Sequence, residues 1–245
     1  MKKFFKTLGI ILLVLVLIVA VGFVYLFNNG MSGISIITEP KEDQIRVACV
    51  GDSITYGHGV KNWYNNNYPT VLQDLLGDKY HVANFGVSGS TLSPNGDQPY
   101  IERDQYQQSL DYKPDILVLM LGTNDSKPEN WTNEAQFLSH LDSLINSYVE
   151  VNPDVKIYLC TPAAAFFPEG QTEGITNYDI QPLVVEKIAN YVKGYAFLNL
   201  LKIENIVDIY DLTANHPEWF EADNVHPSVD GAKAIAVEVY TKITK

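Results

Sequence analysis

The chain has 245 residues, enough for one substantial domain and too few for two of ordinary size. Hydrophobic residues make up 46% of it and charged residues 19%, a composition that excludes a wholly disordered chain and a collagen-like repeat. The 17 Lys and Arg residues stand against 29 Asp and Glu residues, which gives a formal charge of −12. Because such a charge repels phosphate backbones, we expect no nucleic acid partner.

An uncharged apolar stretch, residues 8–27, is the first element that the sequence predicts. Its 20 residues match the length a helix needs to cross the roughly 30 Å hydrocarbon core of a bilayer. Lys2, Lys3 and Lys6 precede it, and the positive-inside rule places them in the cytoplasm. We therefore expect residues 1–29 to anchor a single-pass protein in the cell membrane, with the domain that follows them outside the cytoplasm. The alternative is a signal peptide whose cleavage gives a secreted protein, but the apolar part of such peptides is usually only about 7–15 residues long.

Residues 30–44 are small and polar, which predicts a linker, and residues 45–245 form the main domain. In that domain, short apolar runs rich in β-branched residues alternate with segments of helical period. The predicted strands are residues 45–50, 80–85, 115–121, 155–160 and 206–210. The predicted helices are residues 68–76, 137–148 after a cap at Thr132 or Asn133, 179–192 and 232–243. This alternation favours right-handed crossovers and a three-layer α/β/α sandwich around a five-stranded parallel sheet.

Polar residues and glycines follow the predicted strands at three places, and a further pair precedes the last helix. Ser53, Gly89 and Asn124 follow the first, second and third strands, and Asp223 and His226 form the pair. Each of them alone is typical of a turn or a helix cap. Together they are expected at the carboxyl edge of one sheet, where open parallel sheets bind ligands. A serine, an oriented imidazole and hydrogen-bond donors in one place are what acyl transfer requires.

At these residues the sequence resembles the SGNH hydrolases, also called the GDSL esterase/lipase family. Four stretches match the family's sequence blocks in order over residues 45–243: GDSIT at 51–55, NFGVSGST at 84–91, GTND at 122–125 and DNVH at 223–226. The resemblance implies the flavodoxin-like fold of that family. It also implies that Ser53 is the nucleophile, His226 the general base and Asp223 the acid that orients it. The oxyanion hole would then consist of the Ser53 and Gly89 N–H groups and the Asn124 side-chain amide.

Three further residues are predicted to contact the substrate: Asp52, His58 and Trp131. Asn130 and Trp131 after the GTND stretch resemble those family members that deacetylate carbohydrates, and an indole beside polar groups suits the face of a sugar. The alternative for Trp131 is that its ring packs beneath the following helix. The apolar run AAAFF at residues 163–167 favours a longer acyl chain instead of a sugar ester.

We therefore predict a serine esterase that hydrolyses small acyl esters, acetyl esters of carbohydrates above all, by a Ser-His-Asp mechanism. Its expected partners are a small-molecule or glycan ester and, through the N-terminal segment, the membrane. The alternatives are a lipase, thioesterase or O-acyltransferase that uses the same serine, and a non-catalytic glycan-binding module. No cofactor is expected, and no metal site, because the sequence has no H-E-x-x-H motif and no cluster of Cys and His.

Overall fold

The structure, a computed structural model, describes residues 13–19, 22, 38–198 and 203–245. Residues 13–19 and 22 are helical and belong to the predicted membrane segment 8–27, the rest of which lies outside the described residues. Within the ranges just given, no helix combines the length and the apolar character that crossing a bilayer requires. The membrane anchor therefore stays a prediction.

A five-stranded sheet forms the centre of the domain, and all five predicted strands are confirmed. They are β1 (Ile45–Gly51), β2 (Tyr80–Gly86), β3 (Ile116–Met120), β4 (Lys156–Cys160) and β5 (Ile203–Val207). The order in the sheet is β2-β1-β3-β4-β5, and every neighbouring pair is parallel.

The strands are apolar on both sides because both faces of the sheet are covered. Successive residues of a strand point to opposite faces. In β1, Val47 and Cys49 join one buried cluster, whereas Ala48 and Val50 join the other. All five residues of β3 are buried in the same alternating way. The predicted three-layer sandwich is therefore confirmed.

Eight α-helices lie in residues 38–198 and 203–245. They are α1 (Ser53–Tyr56), α2 (Trp63–Asn66), α3 (Tyr68–Leu76), α4 (Asp104–Asp111), α5 (Glu134–Val151), α6 (Pro182–Leu198), α7 (Ile209–Thr213) and α8 (Val229–Ile243). Short 3-10 helices span Tyr100–Glu102, Asn124–Ser126 and Pro217–Trp219. Helices α1–α3 and α8 pack on one face of the sheet, and α4–α6 pack on the other.

Local hydrogen bonds explain where the helix and strand boundaries differ from the predictions. The last strand was predicted at 206–210, but it begins at Ile203, and Tyr210 lies in α7 instead. The strand ends at Val207 because the Asp208 side chain accepts a hydrogen bond from the Asp211 N–H at 3.2 Å and starts α7. Helix α4 was not predicted, since its sequence is mostly polar and buries only Ser109.

Candidate active site

The site lies where the strand order of the sheet reverses. The connection from β1 leads to β2 on one side, and the chain then crosses to β3 on the other side of β1. Open parallel sheets bind ligands at the carboxyl ends of strands at this kind of point. Ser53 follows β1, Gly89 follows β2 and Asn124 follows β3, so the topology alone brings these three residues to one edge.

Ser53 is held at a sharp turn between β1 and α1. The Asp52 side chain caps α1 by accepting a hydrogen bond from the Ile54 N–H at 2.9 Å. Gly51 is required just before it, because a Cβ there would run into the Thr55 side chain and the Met120 carbonyl. The turn makes Ser53 the first residue of the helix, where it is only 6% exposed.

Ser53, His226 and Asp223 form a hydrogen-bonded chain. The Ser53 Oγ lies 2.8 Å from His226 Nε2, and His226 Nδ1 lies 2.9 Å from Asp223 Oδ2. When the Nδ1–H donates to the carboxylate, Nε2 is left to accept the serine proton. His226 is only 4% exposed, so this contact is shielded from bulk water. The imidazole is therefore placed to act as a general base towards Ser53.

The turn around Asn224 fixes the carboxylate that orients the imidazole. Asp223 Oδ1 accepts the backbone N–H groups of Val225 and His226, both at 2.8 Å, and Asn224 adopts a left-handed φ of 63°. Burial raises the pKa of Asp223, but the hydrogen bonds from the His226 side chain and backbone outweigh that effect, so the pKa lies below its ordinary value. Asp223 is thus a carboxylate at neutral pH and can hold the Nδ1–H.

The three groups predicted for the oxyanion hole line one pocket. Asn124 begins a 3-10 turn and donates one amide hydrogen to the Ser90 carbonyl at 3.1 Å. The hydrogen bond to Ser90 uses only one of the two amide hydrogens. Asn124 lines the pocket together with Ser53 and Gly89. Gly89 has a φ of +82°, a conformation that L side chains rarely adopt. The structure therefore gathers the predicted donors beside the Ser53 hydroxyl.

The pocket has a volume of about 150 Å³. Of the three residues predicted to contact the substrate, only His58 lines it. It is lined by Ser53, His58, Ser88, Gly89, Thr123, Asn124, Lys127, Tyr178, Ile180, Val225 and His226. Asp52 is not among them: it is 1% exposed, and burial raises its pKa to about 6. Trp131 is also absent from the lining, because its ring stacks on Tyr191 of α6, with centroids 6.2 Å apart and planes at 7°.

Sequence reasoning missed several lining residues and placed an apolar run too near the pocket. Lys127 was not missed in this sense, because it belongs to residues 126–131, a segment after the GTND stretch that the sequence places at the same sheet edge. Tyr178 and Ile180 lie in the loop after β4, which carries no motif. Residues 163–167 were expected to hold an acyl chain, but none of them lines this pocket. Phe166 instead packs edge-on against Phe220, with ring centroids 5.0 Å apart.

The geometry supplies each group that nucleophilic acyl transfer needs. There is a hydroxyl with a base in contact, a carboxylate that orients the base, and N–H donors on the same pocket wall. In the part of the chain that the structure describes, no three His, Cys, Asp or Glu side chains are grouped so as to hold a metal ion. The groups placed for acyl transfer are Ser53, His226 and Asp223.

Comparison with known families settles the relationship that the motifs suggest. The model of the GDSL-like lipase/acylhydrolase family matches residues 49–234, a range that includes every pocket residue. The chain belongs to this family. The resemblance found from the four sequence stretches is thereby confirmed.

An acetylxylan esterase of Xylanibacter ruminicola is a curated relative of this chain. It is 37% identical over 221 residues, which cover 82% of the present chain and 43% of the relative. The chain therefore spans less than half the length of this relative.

Solved structures share the fold at low sequence identity. Est24, a carbohydrate acetylesterase from Sinorhizobium meliloti, is 18% identical with a TM-score of 0.65, covering 82% of this chain and 99% of its own. The aryl esterase of M. smegmatis is 15% identical with a TM-score of 0.63, covering 81% and 98%. These structures support the family's α/β sandwich for the domain.

Proposed function

We propose that this protein is a serine esterase that hydrolyses small acyl esters, above all acetyl esters of carbohydrates. The observation that carries the proposal is the Ser53 Oγ at 2.8 Å from His226 Nε2, in a pocket that Gly89 and Asn124 also line. The names of the two relatives, an acetylxylan esterase and a carbohydrate acetylesterase, support the choice of acyl group and alcohol. A glycan-binding module would need no hydroxyl paired with an oriented base.

The reaction follows from the contacts in two steps. His226 Nε2 takes the Ser53 proton as Oγ bonds to the ester carbon, and the resulting oxyanion accepts hydrogen bonds from Gly89, Asn124 and the Ser53 N–H. The C–O bond to the alcohol then breaks, and His226 returns the proton to the alcohol oxygen. In the second step water attacks the acyl-serine in the same way, which releases the acid and restores Ser53.

The size of the pocket favours a short acyl group. A volume of about 150 Å³ leaves little room for a chain of many methylenes beside the reacting atoms. Ser88, Thr123 and Lys127 add polar or charged groups to the wall, which an apolar chain would have to desolvate. None of residues 163–167, the apolar run, lines this pocket.

Two aromatic side chains beside His226 suit a sugar as the alcohol. The alcohol leaves next to His226, since that residue protonates its oxygen. The rings of His58 and Tyr178 lie beside the His226 ring, with centroids 4.6 Å and 5.4 Å away. Burial, reinforced by His226, lowers the pKa of His58, so at pH 7 its ring is mostly neutral and can both donate and accept hydrogen bonds. Rings with polar tips pack well on the faces of sugars.

Acyl-chain preference tests this assignment of the pocket. We expect kcat/KM for p-nitrophenyl acetate to exceed that for the octanoate by at least about 10-fold, because an acyl chain too long for the pocket displaces the ester carbon from its position beside Ser53 Oγ. Acetate should also be released from acetylated xylan and be quantifiable by chromatography. A preference that rises steadily with chain length would indicate a lipase instead.

We also propose that residues 1–29 tether the domain to the outer side of the cell membrane. The support is the uncharged stretch at residues 8–27, the three lysines before it, and the helical state of residues 13–19, whose apolar side chains are exposed. An exposed apolar helix needs an apolar environment.

The tether predicts a fractionation pattern. The full-length protein should sediment with membranes, and protease added to intact cells should digest the domain, because the lysines hold the N-terminus in the cytoplasm. Immunoblotting against the C-terminus checks both. A domain protected from external protease would reverse the orientation, and complete release into the medium would identify residues 1–29 as a signal peptide.

A further inference from the structure

Two separate loops build the oxyanion hole, and hydrogen bonds join them. The loop after β2 carries Gly89, and the turn after β3 carries Asn124. The Asn124 side chain donates to the Ser90 carbonyl at 3.1 Å. The neighbouring Asp125 carboxylate accepts two backbone N–H groups of the β2 loop, at 2.8 and 2.9 Å. The two donors of the hole therefore depend on contacts between loops that are distant in sequence.

Asn130 links these two loops by hydrogen bonds from outside the pocket. It is 3% exposed and does not line the pocket. Its Nδ2 donates both to the Asn124 carbonyl and to Asp97 Oδ1, each at 2.9 Å, and its Oδ1 accepts the Asp97 N–H at 2.8 Å. Both amide hydrogens and the amide oxygen are thus used. A side chain satisfied in this way allows one arrangement of the two loops.

Asp97, the hydrogen-bond partner of Asn130, connects it to Gly89, the second oxyanion donor, and to the pocket wall. Asp97 Oδ2 accepts a hydrogen bond from Lys127 Nζ at 3.2 Å, and Lys127 lines the pocket. The next residue, Gln98, lies against Gly89 so closely that a Cβ on Gly89 would be 2.8 Å from Gln98 Nε2. The segment that Asn130 holds is therefore the segment that packs on Gly89.

We propose that Asn130 is a positioning residue that holds the Asn124 amide and the Gly89 loop at the spacing an oxyanion requires. This inference rests on the proposed esterase function. Oxyanion donors act when they lie about 2.7–3.1 Å from the developing charge. A small displacement of Asn124 therefore reduces the stabilisation of the transition state more than it reduces binding of the ester. Asn130 does this through the Asn124 carbonyl, without touching the substrate.

Substitution of Asn130 by alanine should separate kcat from KM. We expect kcat for p-nitrophenyl acetate to fall about 10- to 100-fold, as for other losses of alignment near reacting groups, while KM changes by less than about threefold. The rates should be expressed per functional serine, counted by titration with a fluorophosphonate, so that misfolded protein does not contribute. Glu129→Ala is the matched control: Glu129 is the exposed neighbour in the same turn, and its loss should leave kcat unchanged.

A double-mutant cycle with Asn124 shows whether Asn130 acts through that amide. In an Asn124→Ala background only the Gly89 donor is left to position, so the added Asn130→Ala change should lower kcat by clearly less than it does in the wild type. A merely structural role would give the same loss in both backgrounds. Thermal unfolding of all four proteins gives the stability change separately.

Asp97→Ala provides a second variant in case Asn130→Ala fails to fold. The Asp97 side chain is 35% exposed, and its removal takes away a hydrogen-bond acceptor of Asn130. It should lower kcat in the same direction, and the loss should shrink when Asn124 is absent. An unchanged kcat per serine in whichever of these variants folds, or equal losses in both backgrounds, would overturn the inference. Because the wild-type rate and its dependence on Ser53 are measured alongside, a failure of the esterase assignment would be seen separately.

Discussion

Replacing Ser53 by alanine is expected to lower the esterase rate by about 10³-fold or more, since the residual rate comes only from binding and the oxyanion donors. The Ser53 hydroxyl is hydrogen-bonded to His226 Nε2, so the substitution removes the proposed nucleophile and leaves Nε2 without this partner. The helix cap that the Asp52 side chain provides is not affected. The fold should survive, because α1 and the sheet beneath it do not depend on the hydroxyl. Initial rates with p-nitrophenyl acetate and a thermal unfolding curve measure both effects.

Ser139→Ala is the matched control for this substitution. Ser139 is exposed on α5, away from the pocket, and the same atom is removed there. Its rate should equal that of the wild type. If Ser53→Ala kept half of the wild-type activity, Ser53 would not be the nucleophile.

Replacing Asn124 by alanine is expected to lower kcat by about 10²- to 10³-fold, the cost of one oxyanion donor, and to leave KM nearly unchanged. The amide stabilises charge that appears only in the transition state, so the bound ester loses little. Asn124→Asp keeps the shape but has no amide hydrogens to donate, and should be at least as slow.

Steady-state kinetics of the two Asn124 variants give kcat and KM separately. A rise in KM at constant kcat would make Asn124 a residue of substrate binding or of the turn. The oxyanion hole would then have to be placed elsewhere. Full activity of Asn124→Asp would lead to the same conclusion.

The positions of the residues proposed as nucleophile, base and oxyanion donors could be brought together from the sequence because their placement follows from strand order and short turns. Ser53 and Asn124 each come within four residues of the end of a buried strand, and parallel strands end at the same edge of a sheet. Asp223 and His226 lie three residues apart, a spacing at which a single turn can join carboxylate and imidazole. These relations depend on few residues, so apolar pattern and short motifs suffice to find them.

The residues that sequence reasoning misplaced are those whose environment is set by distant parts of the chain. Trp131 follows the GTND stretch, but the ring of Tyr191, 60 positions later in the sequence, provides its packing surface. Asn130 acts through Asp97 of another loop, and Tyr178 reaches the pocket from the loop after β4. Such contacts arise from how loops of different length fold over the sheet, and no local pattern encodes them.

Labelling with a fluorophosphonate tests the central claim, that Ser53 is an activated nucleophile, most directly. Trypsin should cleave after Arg46 and Lys61, and the peptide of residues 47–61 contains Ser53 as its one serine. We predict stoichiometric modification of this peptide at Ser53, slowed by an acetyl ester in competition and absent from Ser53→Ala. Modification of another peptide, or equal labelling of the wild type and Ser53→Ala, would contradict the account.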